Sequence, residues 1–338
     1  MFKKTILVTG GLGFIGSNFV PYYVNKYPDH LLINLDSLTY AGNLDNVTEI
    51  KDSKNYQFIK GDITDFSLVE RIFQDFTIDA VIHFAAESHV DNSILGPAIF
   101  VKTNLMGTFN LLEAARKTWL EEPFKYKQKY ENARFHHIST DEVYGSLGAE
   151  GYFTEQTPYA PNSPYSASKA GSDFLVRSYH HTYGMNTVIT NCSNNYGPKQ
   201  HNEKLIPTII RKAIAKEPIP IYGDGKNIRD WLFVLDHIKA LVCVFNQGLS
   251  GETYNIGGNA EKTNLEVVAA ICEILDQLKP LSGKSYKEFI TFVKDRPGHD
   301  KRYAIDASKI KSKLNWQPEH TFDQGILETI QWYLNKYL

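Results

Sequence analysis

Two pairs of side chains stand where protons could be moved. Tyr165 and Lys169 are the ends of YSASK, and residues at i and i+4 of a helix share a face. An ammonium beside a phenol favours phenolate and brings a group of pKa about 10 toward use near neutrality. Such a tyrosine can take a proton from an alcohol while hydride leaves the same carbon. Tyr-x-x-x-Lys also arises by chance on helices, so the pair needs further support. The second pair, Asp141 and Glu142, follows Ser139 and Thr140 at the end of the apolar run FHHIST. Two carboxylates in different protonation states are the least equipment for removing one proton while donating another. A plain alternative is a helix N-cap, Asp141, followed by a first-turn acid, Glu142. Thr140 is placed to hydrogen-bond the same substrate oxygen as Tyr165.

A third motif supplies a hydride acceptor. TGGLGFIGS places Gly10, Gly13 and Gly16 directly after an apolar run and at the opening of a helical segment. Glycines there let backbone amides approach a pyrophosphate at the positive end of the helix. The next apolar run ends at Asp36, 20 residues after Gly16. A carboxylate at that position accepts from a ribose 2′-hydroxyl and repels a 2′-phosphate, which selects NAD over NADP. Asp62 ends the following run where an adenine edge would lie, or serves only as a turn residue. Phe14 and Ile15, Ile63, and the small Ala85 and Ala86 of FAAESHVD complete the expected cofactor contacts, together with Tyr165 and Lys169.

These residues must be positioned by alternating elements. Thr5–Gly10, Leu31–Asp36, Tyr56–Asp62, Ala80–Ala86, Phe135–Thr140 and Asn186–Cys192 read as strands, and their nearly continuous hydrophobicity suits a parallel sheet covered on both faces. Ser17–Lys26, Asp65–Phe76, Pro97–Thr118 and Ser163–Tyr183 read as the helices between them. The fold class expected is α/β, a doubly wound parallel (Rossmann) sheet with a second, smaller α/β substrate domain. The division expected is an NAD-binding domain over 1–193, with a returning segment near 228–250, and a substrate-binding domain over 194–338, where Pro198, Pro207, Pro218 and Pro220 break the pattern and a helix spans Leu265–Leu278. The stretch Glu121 to Glu131 reads as a solvated surface insertion.

Composition narrows the partners. The chain has 338 residues, 42% hydrophobic and 22% charged, with a formal charge of -2, enough to bury a core but with no field to gather nucleic acid or a membrane surface. Cys192, Cys243 and Cys272 are an odd, widely spaced set, expected to be reduced thiols of a cytoplasmic protein with no metal site. The histidines, including His180 and His181, fit no metal spacing. The apolar run after the basic pair Lys3 and Lys4 is too short for a signal segment or a span of about 20 residues. Any anion must then be held locally, and Arg229 and Arg296 are the candidates, since a guanidinium fork matches phosphate oxygens. Arg229 beside Asp230 is alternatively a plain ion pair.

TGGLGFIGS, HFAAESHVD, STDEVYG, PYSASKA, NCSNNYGP, RDWLFVLDH, YNIGG and RPGHDKRYAID together resemble the extended short-chain dehydrogenase/reductases that act on nucleotide sugars, in particular their 4,6-dehydratases, over nearly the whole chain from Thr5. The related 4-epimerases lack an acid pair at the place of Asp141 and Glu142. The resemblance implies dTDP-glucose as substrate, Glu142 as the base at C5 and Asp141 as the acid at the C6 oxygen. It adds Asn194, Lys204, Leu205, Asn264, His299 and Tyr303 as contacts to the nucleotide or diphosphate, and Ser88 and Thr140 as contacts to the sugar. It also implies a homodimer in which the helices near 97–118 and 163–183 form a four-helix bundle. The apolar residues on those helices, Leu111, Leu112, Phe174 and Leu175, would equally suit an internal core. Open alternatives are a UDP-glucose 4,6-dehydratase, a 4-epimerase of the same fold, and a non-catalytic dinucleotide-binding regulator. Thymine and uracil differ by one methyl group, worth about 1 kcal/mol in an apolar pocket, and no residue reads that difference.

Overall fold

The computed structural model describes residues 2–295 and 300–337, so Arg296 and His299 lie outside the described residues. Seven strands build one sheet: β1 (Lys4–Thr9), β2 (His30–Asp36), β3 (Tyr56–Lys60), β4 (Ala80–His83), β5 (Arg134–Thr140), β6 (Thr187–Cys192) and β7 (Thr253–Ile256). Their order is β7-β6-β5-β4-β1-β2-β3, and every neighbouring pair is parallel. The order reverses between β1 and β4, and the crevice outside the carboxyl ends of strands at such a reversal is where doubly wound folds hold ligands. The TGG turn ends β1 there, FAAES ends β4, and the Thr140–Asp141–Glu142 run ends β5.

The sheet is covered on both sides. On one, α1 (Phe14–Lys26) places Phe19, Val20 and Tyr23 on Ile6 and Val8 of β1. On the other, α2 (Phe66–Asp75), α3 (Thr108–Trp119) and α4 (Pro164–Tyr183) pack Ile72, Leu111 and Val176 against Leu7, Val81 and Phe135. Full burial of Ile6, Leu7 and Val8 in succession is why β1 reads as a continuous apolar run rather than an alternating one. Leu111 and Leu112 are core residues of this layer, fully buried within one chain.

The chain after 193 returns to this sheet. Helix α5 (Val234–Gln247) lies on the α1 side, and β7 pairs with β6. The strand at β7 was not expected from the sequence, because YNIGG is short and glycine-terminated. The remaining C-terminal segments form a three-stranded sheet of Asn194–Tyr196, Ile228–Phe233 and Glu261–Thr263, with an apolar cluster around Ile209, Ile271 and Tyr333.

Two local readings are corrected. The segment expected as one helix over Pro97–Thr118 is helical but not uniform: Val101–Gly107 winds as a π-helix between Pro97–Phe100 and α3, a form that often marks functional sites. The Glu121–Glu131 stretch is no simple solvated loop. Leu120–Glu122 pairs with Lys125–Tyr126, and Lys127 donates to the carbonyls of Lys117 and Thr118, satisfying the end of α3. Among the described residues no helix is long and apolar enough to cross a membrane.

Candidate active site

The turn after β1 is shaped by backbone contact. Gly10 has φ +72°, and a Cβ there would stand 2.5 Å from the Ala85 amide nitrogen. At Gly16 a Cβ would stand 2.3 Å from the Gly10 carbonyl oxygen, so α1 can start against the turn only with glycine. Gly13 differs: its nearest neighbour is the Gly10 oxygen at 3.5 Å, an ordinary contact. Gly13 instead lines the cleft, and as the residue preceding α1 it offers no side-chain cap, leaving the first amides of the helix for a ligand. Asp36, buried at the end of β2, accepts from the amides of Leu12 (3.0 Å) and Leu38 (2.8 Å), one per carboxylate oxygen. These residues fit a dinucleotide: a bare-backbone cradle at a helix start and an oriented carboxylate beyond it.

One cleft gathers most of the expected residues. Gly10, Gly13, Phe14, Ile15, Gly16, Asp36, Asp62, Ile63, Ala85 and Ala86 line it together with Ser88, Thr140, Asp141, Glu142, Tyr165, Lys169, Asn194 and Lys204. Asp62 also has the turn role, accepting from the Thr64 amide at 2.8 Å. Lys204 donates to the Ser88 carbonyl at 3.0 Å. Leu205, Arg229, Asn264 and Tyr303 are not among the lining residues. Leu205 opens the helix after Lys204, and the Asn264 amide donates to Asn227 at the start of another helix. Arg229 is buried, donates to the carbonyls of Ile228 (2.7 Å) and Asp300 (2.8 Å), and stacks on the Tyr303 ring at 4.3 Å. Asp230 accepts from the amides of Gly258 and Ala260. Glu87, Gln200, His201 and Glu203 also line the cleft; sequence reasoning missed them because they sit in connecting segments without a spacing signature.

The serine, proline and glycine around YSASK explain its helix. Ser163 caps α4 in a reciprocal pair with Ser166, Pro164 takes the first turn, and Gly184 at φ 72° ends it. Tyr165 and Lys169 thus face β5 one turn apart. Lys169 Nζ donates to the Ile138 carbonyl at 2.8 Å and lies 3.4 Å from His137 Nε2. Burial brings its ammonium down to about 8, against the opposing pull of Asp173. Tyr165 moves the other way from the sequence expectation. Burial first, then the charge of Glu142, pushes the phenol well above its usual range, and a hydrogen bond with Thr140 opposes them.

The acid pair is no helix cap. Thr140 caps the short 3-10 turn Asp141–Tyr144, its hydroxyl accepting from the Glu142 amide at 3.3 Å, so Asp141 is released from that duty. Asp141 is 2% exposed, and its Oδ2 has no hydrogen-bond partner among the described residues. Burial pushes its carboxyl well above the usual carboxylate range, Glu142 and Asp230 push the same way, and Arg229 and Thr140 oppose. A carboxylic acid that burial and a second carboxyl group push toward its protonated form suits a proton donor.

The chain is similar to known proteins over nearly its whole length. The family model described as GDP-mannose 4,6 dehydratase matches residues 7–329. A dTDP-glucose 4,6-dehydratase of Xanthomonas campestris pv. campestris is 57% identical over 331 residues, covering 98% of this chain and 93% of the relative. The crystal structure of dTDP-glucose 4,6-dehydratase from Bacillus anthracis in complex with NAD superposes with a TM-score of 0.87 at 47% identity, covering 98% of this chain and 97% of that one. A UDP-glucose 4-epimerase from Thermotoga maritima reaches the same TM-score at 27% identity, covering 99% and 100%. Backbone shape therefore does not separate dehydratase from epimerase, whereas identity over nearly the full length does: the chain belongs to the dTDP-glucose 4,6-dehydratase family.

Proposed function

We propose that the protein converts dTDP-glucose to dTDP-4-keto-6-deoxy-glucose as an NAD-dependent hydro-lyase. The observation that carries the reading is the buried Asp141, its Oδ2 without a hydrogen-bond partner among the described residues, next to Glu142 in the cleft that also holds Tyr165 and Lys169. When bound, NAD supplies a reversible two-electron acceptor, so the overall reaction is redox-neutral loss of water. The chain's own groups move the protons. For Tyr165 to take the proton of the C4 hydroxyl as that carbon is oxidised, its raised phenol must first release its own, which the Thr140 hydrogen bond and the neighbouring Lys169 ammonium favour. A C4 ketone acidifies C5–H, and Glu142 removes that proton. Asp141 protonates the C6 hydroxyl, which departs as water. Glu142, now carrying a proton, returns it to C5 as C6 is reduced to a methyl group. The cradle of Gly10, Gly13 and Gly16 and the Asp36 carboxylate hold the dinucleotide, and Ser88, Asn194 and Lys204 face the sugar nucleotide.

We further propose a cytoplasmic homodimer. Leu95, Ile99, Val101, Met106, Phe109 and Phe174 are exposed on the helices from Val90 to Trp119 and on α4. Apolar side chains that one chain leaves in water on these helices suit a four-helix interface with a second copy, although Ile99 also lines the cleft. The three cysteines are free, in keeping with a reducing compartment. Incubating the protein with NAD and either dTDP-glucose or UDP-glucose, then reading the alkaline absorbance of a 4-keto-6-deoxy sugar, tests the activity. Product from dTDP-glucose supports it; a C4 epimer in its place refutes it.

A further inference from the structure

On α4 a third residue follows the spacing of Tyr165 and Lys169. Asp173 stands at i+8, completing one face, and is 1% exposed. Its Oδ2 accepts from Ser139 Oγ at 2.8 Å and from the Tyr159 hydroxyl at 3.0 Å. Its Oδ1 lies 3.1 Å from His137 Nε2, the same ring nitrogen that lies 3.4 Å from Lys169 Nζ. A fully buried ammonium is expensive to keep charged unless an opposite charge is near. We propose that Asp173 is the counter-ion that keeps Lys169 charged behind Tyr165, with His137 as the neutral spacer between carboxylate and ammonium; this rests on the reading of Tyr165 and Lys169 above.

The groups around this cluster leave Asp173 the role. His137 on β5 and His83 on β4, with rings 5.2 Å apart, are pushed well below the usual histidine range by burial and by Lys169, so both stay neutral. Cys192 on β6 is pushed up to about 12 by burial and stays a thiol. Tyr159 and Tyr144 are raised by burial and by acidic neighbours, Asp173 among them, and remain phenols. Tyr165 itself is raised. Asp173, raised to about 6 by burial and drawn back by Lys169, is ionised at neutral pH. Asp141 and Glu142 act on the Tyr165 phenol and are not among the groups that shift Lys169. Asp173 is therefore a positioning residue, acting on the substrate only through Lys169.

The test uses the full chain with NAD and dTDP-glucose. Asp173→Asn keeps an acceptor for Ser139 and Tyr159, removes the charge and turns an amide donor toward His137. The alkaline limb of kcat should move down by about one pH unit, with KM changed less than about twofold, and Asp173→Glu should restore the limb. A limb that stays in place while only thermal stability falls overturns the proposal. If Asp173→Asn does not fold, wild-type protein isotope-labelled at lysine Cε decides the matter, its Lys169 resonance identified by loss in Lys169→Arg. Two inflections are expected, a main one at about 8 and a lesser one at about 6 where Asp173 titrates; a single inflection overturns it. That titration needs no substrate, so it stands apart from any failure of the dehydratase reading.

Discussion

Replacing Asp141 with asparagine should stabilise the protein, and by an amount that grows with pH. The wild-type carboxyl is 2% exposed and is pushed well above the usual range, first by burial and then by Glu142 and Asp230. Its unfolded counterpart titrates near about 3.9. Between these two values the folded chain keeps a proton that the unfolded chain releases. Unfolded protein then binds fewer protons than folded protein, and stability falls as pH rises, by about 1.4 kcal/mol per pH unit. The fall ends once pH passes the folded pKa. Asparagine has the same shape and no proton to lose. The stability difference between Asp141→Asn and wild type should therefore rise with that slope as pH climbs above the ordinary carboxylate value and level off where the folded carboxyl ionises, measured by urea denaturation with unchanged m-values. Activity should drop by about 100-fold or more over the same range, as expected for loss of a general acid. A stability difference that is flat with pH would show that Asp141 ionises as readily folded as unfolded, and would remove the proton donor from the mechanism.

Two further outcomes follow from the cofactor cradle. Gly16→Ala forces a Cβ to 2.3 Å from the Gly10 carbonyl and should destabilise by about 1–3 kcal/mol, whereas Gly13→Ala, with 3.5 Å of room, should keep its melting temperature without cofactor and lose NAD affinity; equal effects in calorimetry and titration would contradict this difference. Asp36→Ala should weaken NAD binding and relax discrimination against NADP, and it should also lower the melting temperature, because the Leu12 and Leu38 amides lose their acceptor. An unaltered ratio of NAD to NADP affinity would mean that Asp36 serves the turn alone.

What the sequence made legible is what local spacing encodes. The six strands read from apolar runs are all in the central sheet, and the glycine turn, Asp36, the acid pair and YSASK converge on one cleft because each follows or faces the carboxyl end of a strand. Features set by neighbours distant in sequence were not legible. Thr140, not Asp141, caps the turn after β5, a choice made by backbone geometry that the residue types leave open. The Tyr165 phenol is raised rather than lowered, since its burial and the approach of Glu142 depend on packing between α4 and β5. Arg229 faces the carbonyls of Ile228 and Asp300, a bond that exists only because residues 300–303 fold back beside Ile228. The π-helical turn at Val101–Gly107 has no sequence period of its own. There Asn104 holds both the amide and the carbonyl of Glu87, with the Ser168 hydroxyl as a further partner, tying the end of β4 to α4 just behind the cleft.

In the proposed reaction one cleft houses oxidation at C4, loss of water across C5 and C6, and reduction at C6. The most direct measurement is the fate of deuterium placed at C4 of dTDP-glucose, followed by nuclear magnetic resonance of the product made in ordinary water. Deuterium is expected in the new methyl group and solvent hydrogen at C5, where Glu142 returns an exchangeable proton. Deuterium lost to water, or kept at C4 with inverted configuration, would contradict it.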